Sequence, residues 1–272
     1  MPRARHRKAA QMNCDAVLIT AARTFCGTSD RACLGGALDR VSDWAGLVSA
    51  AERQNLMPLL HSATRGLDVP EQARAELEKE YWSSLARSAV FQRELDAVLA
   101  VLAGGGIEAI VLKGAAIADS VYEDPALRPM SDVDVLVRKV DFDRARALIT
   151  SELPYEARVD MAETYMDLTH AVLVGGATGK ATFEVHKSLL GDIALRNEES
   201  VWENAVRDQR GRLVLSREDT LVHLCAHCAL RHQFRSLAQL LDIALVVLRS
   251  GPMDWELLAE RSAALGASGI RL

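Results

Sequence analysis

Ser131-Asp-Val-Asp-Val-Leu-Val137 sets two carboxylates at alternate positions in a valine-rich apolar run. β-Branched residues at a period of two predict a strand, and on a strand alternate side chains share a face. Asp132 and Asp134 therefore point one way while Val133, Val135 and Val137 point into a core. Two like charges that close repel, and a divalent cation between them is the least costly way to keep both ionised. Mg²⁺ (or Mn²⁺) suits the pair, since it takes a few carboxylate oxygens and keeps positions for water or phosphate oxygens. Metal-assisted phosphoryl or nucleotidyl transfer is the chemistry that uses such a site. A third carboxylate is expected on a neighbouring strand, and Glu184 in Thr182-Phe-Glu-Val-His186 has the same apolar flanks. His186 follows Glu184 on the same strand face and is expected to support the acids from behind.

Upstream, Ile110-Val-Leu-Lys-Gly-Ala-Ala-Ile117 reads as a strand running through Gly114 directly into a helix. That leaves free backbone N–H groups and the positive end of a helix dipole where a triphosphate could sit. Lys113, Gly114 and Ala115 are the candidate nucleotide-binding residues here, joined by Ser131 and by Arg128 of Asp124-Pro-Ala-Leu-Arg-Pro-Met130. Arg128 would meet a phosphate or brace the acidic pair. Each has a plainer reading: Lys113 as a charge ending a strand, Arg128 paired to Asp124 or Asp132, and Asp-x-Asp as a solvated strand edge.

Around this segment the pattern is helical at both ends. Ser42 is placed to cap a helix carrying Trp44, Leu47, Val48 and Ala51, and a break near Asn55 and Pro58 separates it from a second with Leu56, Leu59 and Leu60. Pro70 opens a long amphipathic helix from Glu71 to Ala103, which Gly104-Gly-Gly106 stops. Short apolar runs at Ala109–Leu112, Val133–Val137, Ala171–Val174 and Thr182–His186 are predicted strands. Helices are expected over Ala115–Tyr122 and Asp141–Ser151, and Gly175-Gly-Ala-Thr-Gly179 as a hairpin turn. After a polar stretch through Arg212, Ser216-Arg-Glu-Asp219 starts a helix reaching about Phe234, followed by apolar helices at Leu237–Leu248 and Trp255–Leu265. The chain stops at Gly269-Ile-Arg-Leu272 with no closing element, so an incomplete helical part is expected.

The fold class expected is α+β: a small mixed β-sheet core with a helical N-terminal leader and a C-terminal helical subdomain. The boundaries drawn are a disordered basic tail over 1–12, the leader over 13–106, the core over 107–215 and the subdomain over 216–272. In His223-Leu-Cys-Ala-His-Cys228, the two histidines share one helix face and the two cysteines another, so the four do not converge on one ion. Cys225 and Cys228 are expected in the core, as are Trp44, Trp82, Trp202 and Trp255. His223 and His227, with Asp242 on the next helix, are expected to form a polar wall facing the acids and to contact an acceptor.

Composition narrows the partners. The chain has 272 residues, 49% hydrophobic and 25% charged, which are ordinary globular values. Its net charge is -5, and without the four cations of Met1–Lys8 the rest holds 28 Lys and Arg against 37 acids, or -9. An acidic body lacks the field of cations that grips nucleic acid without regard to sequence. Nucleic acid is therefore a disfavoured partner, partly restored by the basic tail. Five cysteines at no framework spacing fit a reducing cytoplasm. The basic start and Ala16–Ala22 imitate a signal peptide, but Asn13 and Asp15 interrupt it and no cleavage site follows. No run approaches the ~20 apolar residues of a membrane span.

Taken together, Leu112-Lys-Gly-Ala-Ala116, Tyr122-x-Asp-Pro-Ala-Leu-Arg128, Ser131–Val137 and Phe183-Glu-Val-His186 resemble the polymerase-beta-like nucleotidyltransferase superfamily. Within it they are most similar to the bacterial group described as uncharacterised nucleotidyltransferases, over roughly Trp44 to Leu248. The resemblance implies two divalent metals held by Asp132, Asp134 and Glu184, a nucleoside triphosphate (NTP) donor, and transfer of the nucleotidyl group to an acceptor hydroxyl with release of pyrophosphate. Small molecules such as antibiotics or sugars, protein side chains and RNA ends are all acceptors of that kind, and a toxin-like transferase acting on tRNA is one version. One departure stands out. The superfamily turn pairs Gly with Ser or a second Gly, whereas Ala115 follows Gly114, so phosphate binding rests on backbone and Lys113. The rival from another class is a non-catalytic protein using the same fold to bind a nucleotide or partner.

Overall fold

The computed structural model describes residues 2–157, 170–175, 181–189 and 198–264. Five helices come first: α1 (Pro2–Phe25), α2 (Arg31–Leu38), α3 (Trp44–Arg53), α4 (Met57–Thr64) and α5 (Glu71–Gly104). α1 takes in the basic run that composition marked as a disordered tail. Pro2 opens the helix, and no further proline or glycine interrupts a stretch rich in Ala, Arg and Lys. The signal-like stretch within it is core, with Val17, Leu18 and Ala21 fully buried. The cap of α3 is Asp43 rather than Ser42, its carboxylate accepting from Gly46 N at 2.8 Å. Asn55, in the left-handed region at φ 54°, makes the break before α4, and Pro58 lies in that helix's first turn. The core face of α5 carries Leu77, Tyr81, Ser84, Ser88, Phe91, Leu95, Val98 and Leu102, spaced alternately by three and four.

Among the described residues, seven strands form one mixed sheet in the order β3-β4-β5-β2-β1-β7-β6. They are β1 (Ala109–Val111), β2 (Val133–Val137), β3 (Tyr155–Ala157), β4 (His170–Gly175), β5 (Thr182–His186), β6 (Val206–Arg207) and β7 (Leu213–Val214). β1 runs antiparallel to β2 and β4 antiparallel to β5, while the central β2–β5 pair is parallel. Between strands lie α6 (Lys113–Val121), α7 (Phe142–Glu152) and the short α8 (Glu199–Glu203). The chain then continues through α9 (Arg217–His232), α10 (Leu237–Arg249) and α11 (Trp255–Ala264). Ser216 caps α9, its hydroxyl accepting from Asp219 N. The expected fold class is thus the observed one. The turn expected at Gly175–Gly179 lies, after its first residue, outside the described residues, as does Leu265.

Strand alternation divides the interior. Val111, Val133, Val135, Val137, Phe183 and Val185 pack on one face against Leu95, Val98 and Leu102 of α5 and Ala145 and Ile149 of α7. Ile110, Leu112 and Leu136, on the other face, join a second cluster with Leu59, Ile117, Val222 and Leu245. That second face is the one on which Asp134 and Glu184 lie. Cys225 and Cys228 are buried as expected. Trp82 and Trp255 are not core residues: they are 57% and 60% exposed, because each lies on the outer side of its helix. Among the described residues no helix is long and apolar enough to cross a membrane.

Candidate active site

Asp134 and Glu184 are direct partners in the parallel β2–β5 register, and His186 lies one alternate position beyond Glu184, opposite Leu136. The three side chains therefore leave the sheet on one face. His186 Nε2 lies 2.7 Å from Asp134 Oδ1 and 3.5 Å from Glu184 Oε2. Lys113 Nζ reaches the same Asp134 oxygen at 2.5 Å. Burial opposes ionisation of Asp134, but the bonds from His186 and Lys113 prevail and hold its carboxyl well below the usual range. Burial likewise acts to lower the His186 pKa, and its bonds to Asp134 and Glu184 reverse that and raise it.

Asp132 stands just ahead of β2, accepting from Ser131 Oγ at 3.2 Å. Its pKa is raised, first by burial and then by the charges of Asp134 and Glu184. This is negative charge that a cation would relieve. The chemistry of the donors fits a divalent ion: one atom each from Asp134, Glu184 and His186 all lie within 4.8 Å of one another. The sequence grouped Asp132 with Asp134 and Glu184; the tightest cluster has His186 in its place, with Asp132 beside it.

The strand-to-helix element faces this cluster. Leu112 N donates to Asp134 O at 3.0 Å, which fixes the end of β1 against β2. Lys113 then adopts φ 48°, a left-handed conformation uncommon for a side-chain-bearing residue, as it turns the chain into α6. Gly114 follows at a close approach: a Cβ there would lie 3.2 Å from Met130 Cγ and Sδ and 3.4 Å from Arg128 Cζ. Lys113, Gly114, Arg128, Ser131, Asp132, Asp134, Glu184 and His186 all line one cleft. Ala115 does not; it is buried beneath the turn.

Arg128 is not left to reach a phosphate freely. Its Nε and Nη2 grip both oxygens of Asp242 at 2.8–3.0 Å, and Tyr122 Oη donates to Asp242 Oδ1 at 2.7 Å. Asp242, expected on the acceptor side, is 1% exposed and is not among the residues lining the cleft, and both its oxygens are committed to Arg128 and Tyr122. Burial would lower the Arg128 pKa, but the Asp242 charge raises it. The pairing joins α10 to the loop that delivers Ser131 and Asp132.

α9 also lines the cleft. His223 and His227 both line the cleft, with ring centroids 6.1 Å apart. His223 is 2% exposed, yet among the described residues neither ring nitrogen has a hydrogen-bond partner. Burial, and then the nearby Lys113 and His227, push its pKa well below the ordinary value. A buried imidazole with both nitrogens unpaired is costly. The cleft measures about 1020 Å³ and extends to Glu52 of α3 and to Glu80, Arg87 and Phe91 of α5. These rim residues were hidden in the sequence, where they look like ordinary solvated or core-facing helix positions. The Arg128–Asp242 pair was hidden too, since 114 residues separate its members.

A family model described as uncharacterised nucleotidyltransferase matches residues 40–270. No curated protein matches the chain.

Proposed function

Because the chain belongs to the uncharacterised nucleotidyltransferase family, we propose that it transfers a nucleoside monophosphate group from an NTP to an acceptor hydroxyl, releasing pyrophosphate. One observation carries this reading: Asp134 and Glu184 are register partners on parallel strands, with Asp132 at the strand mouth and a strand–Lys113–Gly114–helix element beside them in the same cleft. Asp132, Asp134 and Glu184 would hold Mg²⁺ (or Mn²⁺). Such an ion, when bound, neutralises charge developing on the attacking and leaving oxygens. The start of α6 at Gly114, with its backbone N–H group and the positive end of the helix dipole, offers fixed positive potential to the triphosphate. Lys113 adds a point charge from the same turn, and Ser131 a hydroxyl at the cleft edge. Arg128, braced by Asp242, holds the loop that presents both aspartates. His223 and His227 face the acids across the cleft, where an acceptor would be oriented. The net acidic charge of the chain, -5, favours a small molecule or protein side chain over RNA.

The test is label transfer from each of the four α-labelled NTPs to fractionated cell extract, with Mg²⁺ or Mn²⁺ added. Metal-dependent labelling that Asp134→Asn abolishes is the expected result. NTP binding that survives in Asp134→Asn, with no transfer by the unaltered protein, would instead make this a binding protein on the same fold.

A further inference from the structure

The cluster on the β2–β5 face contains a nitrogen donor, and the position of that nitrogen is informative. His186 Nε2 lies between the two acids, 2.7 Å from Asp134 Oδ1 and 3.5 Å from Glu184 Oε2. Its side chain is 10% exposed, so the nitrogen is largely withdrawn from water. Strand register fixes the arrangement, with Asp134 opposite Glu184 and His186 two residues along the same face. Donor atoms of one ion bound at about 2.1 Å lie up to roughly 4.2 Å apart, so a cluster spanning at most 4.8 Å closes on an ion with small side-chain shifts.

We propose that His186 is itself a metal ligand, together with Asp134 and Glu184, and that this mixed nitrogen–oxygen site selects a divalent transition ion of the Mn²⁺ kind over Mg²⁺. The inference rests on the metal-dependent reading above and narrows its choice of ion. Mg²⁺ takes oxygen donors and gains little from imidazole, whereas a transition ion accepts both. His186 Nε2 and Lys113 Nζ both contact the same Asp134 oxygen. An ion at that place would take the Nε2 lone pair, any proton carried there passing to water, and would leave the Lys113 ammonium to turn toward the cleft.

Mn²⁺ is the probe. The full-length protein is titrated with Mn²⁺ and the bound ion examined by pulsed electron paramagnetic resonance, first unlabelled and then with ¹⁵N-histidine incorporated. The expected result is stoichiometric Mn²⁺ showing directly bonded ¹⁴N modulation that changes to the ¹⁵N pattern on labelling, a test needing no substitution. His186→Asn should remove that modulation and weaken Mn²⁺ binding by about 10–100-fold or more, with a smaller change for Mg²⁺ in competition. Mn²⁺ that binds, is lost in Asp134→Asn and shows no nitrogen coupling overturns His186 as a ligand while leaving the metal-dependent reading intact. Coupling that persists in His186→Asn assigns the nitrogen to another histidine and overturns the proposal. No bound Mn²⁺ or Mg²⁺, with or without a non-hydrolysable NTP, overturns the metal-dependent reading itself.

Discussion

Asp132 illustrates at a single residue how the site trades stability for chemistry. Its raised pKa means that the fold prefers it protonated. A carboxyl of that kind contributes stability below the unfolded value of 3.8, and that contribution is lost as pH rises through the higher folded value. At neutral pH the metal-free protein therefore carries a charge it disfavours. Asp132→Asn should raise the melting temperature without metal while lowering transfer by at least about 100-fold, since even outer contacts to a metal are worth about 10–100-fold. A calorimetric scan beside an activity assay checks both halves, and a fall in both would mean that Asp132 is structural. His223 makes the complementary case. Its lowered pKa gives stability that is present above the unfolded value of 6.5 and is lost as pH falls toward the folded value. His223→Leu should remove that acid sensitivity, and it should stabilise the unliganded protein because two unpaired ring nitrogens disappear. Denaturant midpoints for both proteins, from pH 7.5 to 5, should converge toward neutral pH; parallel curves would refute a neutral buried imidazole. The acids themselves were legible, because two-residue alternation fixes which side chains share a face. What His223 lacks was not, since no sequence pattern reports a missing partner.

At the scale of elements, local chemistry and tertiary pairing left different traces. β2 and β5 were readable to the residue, because each carries five residues of apolar alternation around its acids. β3, β6 and β7 span two or three residues, too few to display a period, and they exist because a neighbouring strand offers hydrogen bonds. The buried Arg212 beside β7, held by Asp208, Asp119 and Gln92, draws its partners from three separate segments and was read as part of a polar loop. The turn into α6 was legible as a glycine at a strand end, but the left-handed Lys113 before it was not. Gly114→Ala tests that turn. A methyl gains about 0.5–1 kcal/mol of helix propensity. It also meets Met130 and Arg128 at 3.2–3.4 Å, an overpacking that costs about 1–3 kcal/mol where neighbours are rigid and less against a flexible methionine. The two effects nearly cancel in stability. Displacement of the Arg128–Met130 loop does not cancel, so the melting temperature should stay within a few degrees while NTP affinity falls, as fluorescence titration would measure. Unchanged affinity would take this turn out of the nucleotide site.

Across the whole molecule, one apolar cluster holds Leu47 of the N-terminal helices, Ile110 of the sheet and Leu245 of α10. The three segments drawn from the sequence therefore share a core, and the cleft lies where they meet. Asp242 is the polar counterpart of that junction. It receives three bonds from the Arg128 guanidinium and one from Tyr122 Oη, so a single buried carboxylate ties α10 to the end of α6 and to the loop ahead of β2. Removing one member of a buried ion pair costs about 3–5 kcal/mol, because the remaining charge stays buried without compensation. Asp242→Ala should approach that loss. Asp242→Asn keeps the shape and the acceptor for Tyr122 but not the charge, and should lose less. If the clamp serves the site as well as the fold, the asparagine variant, assayed well below its melting temperature, should bind NTP and metal more weakly than its residual stability explains. The comparison with Tyr122→Phe is decisive. That change removes one hydrogen bond, about 0.5–1.5 kcal/mol, and leaves Arg128 paired. A pure stability effect would rank activity by melting temperature across the variants. A positioning effect would leave Tyr122→Phe near full activity while Asp242→Asn falls, because only the second releases the guanidinium that holds the approach to Asp132 and Asp134.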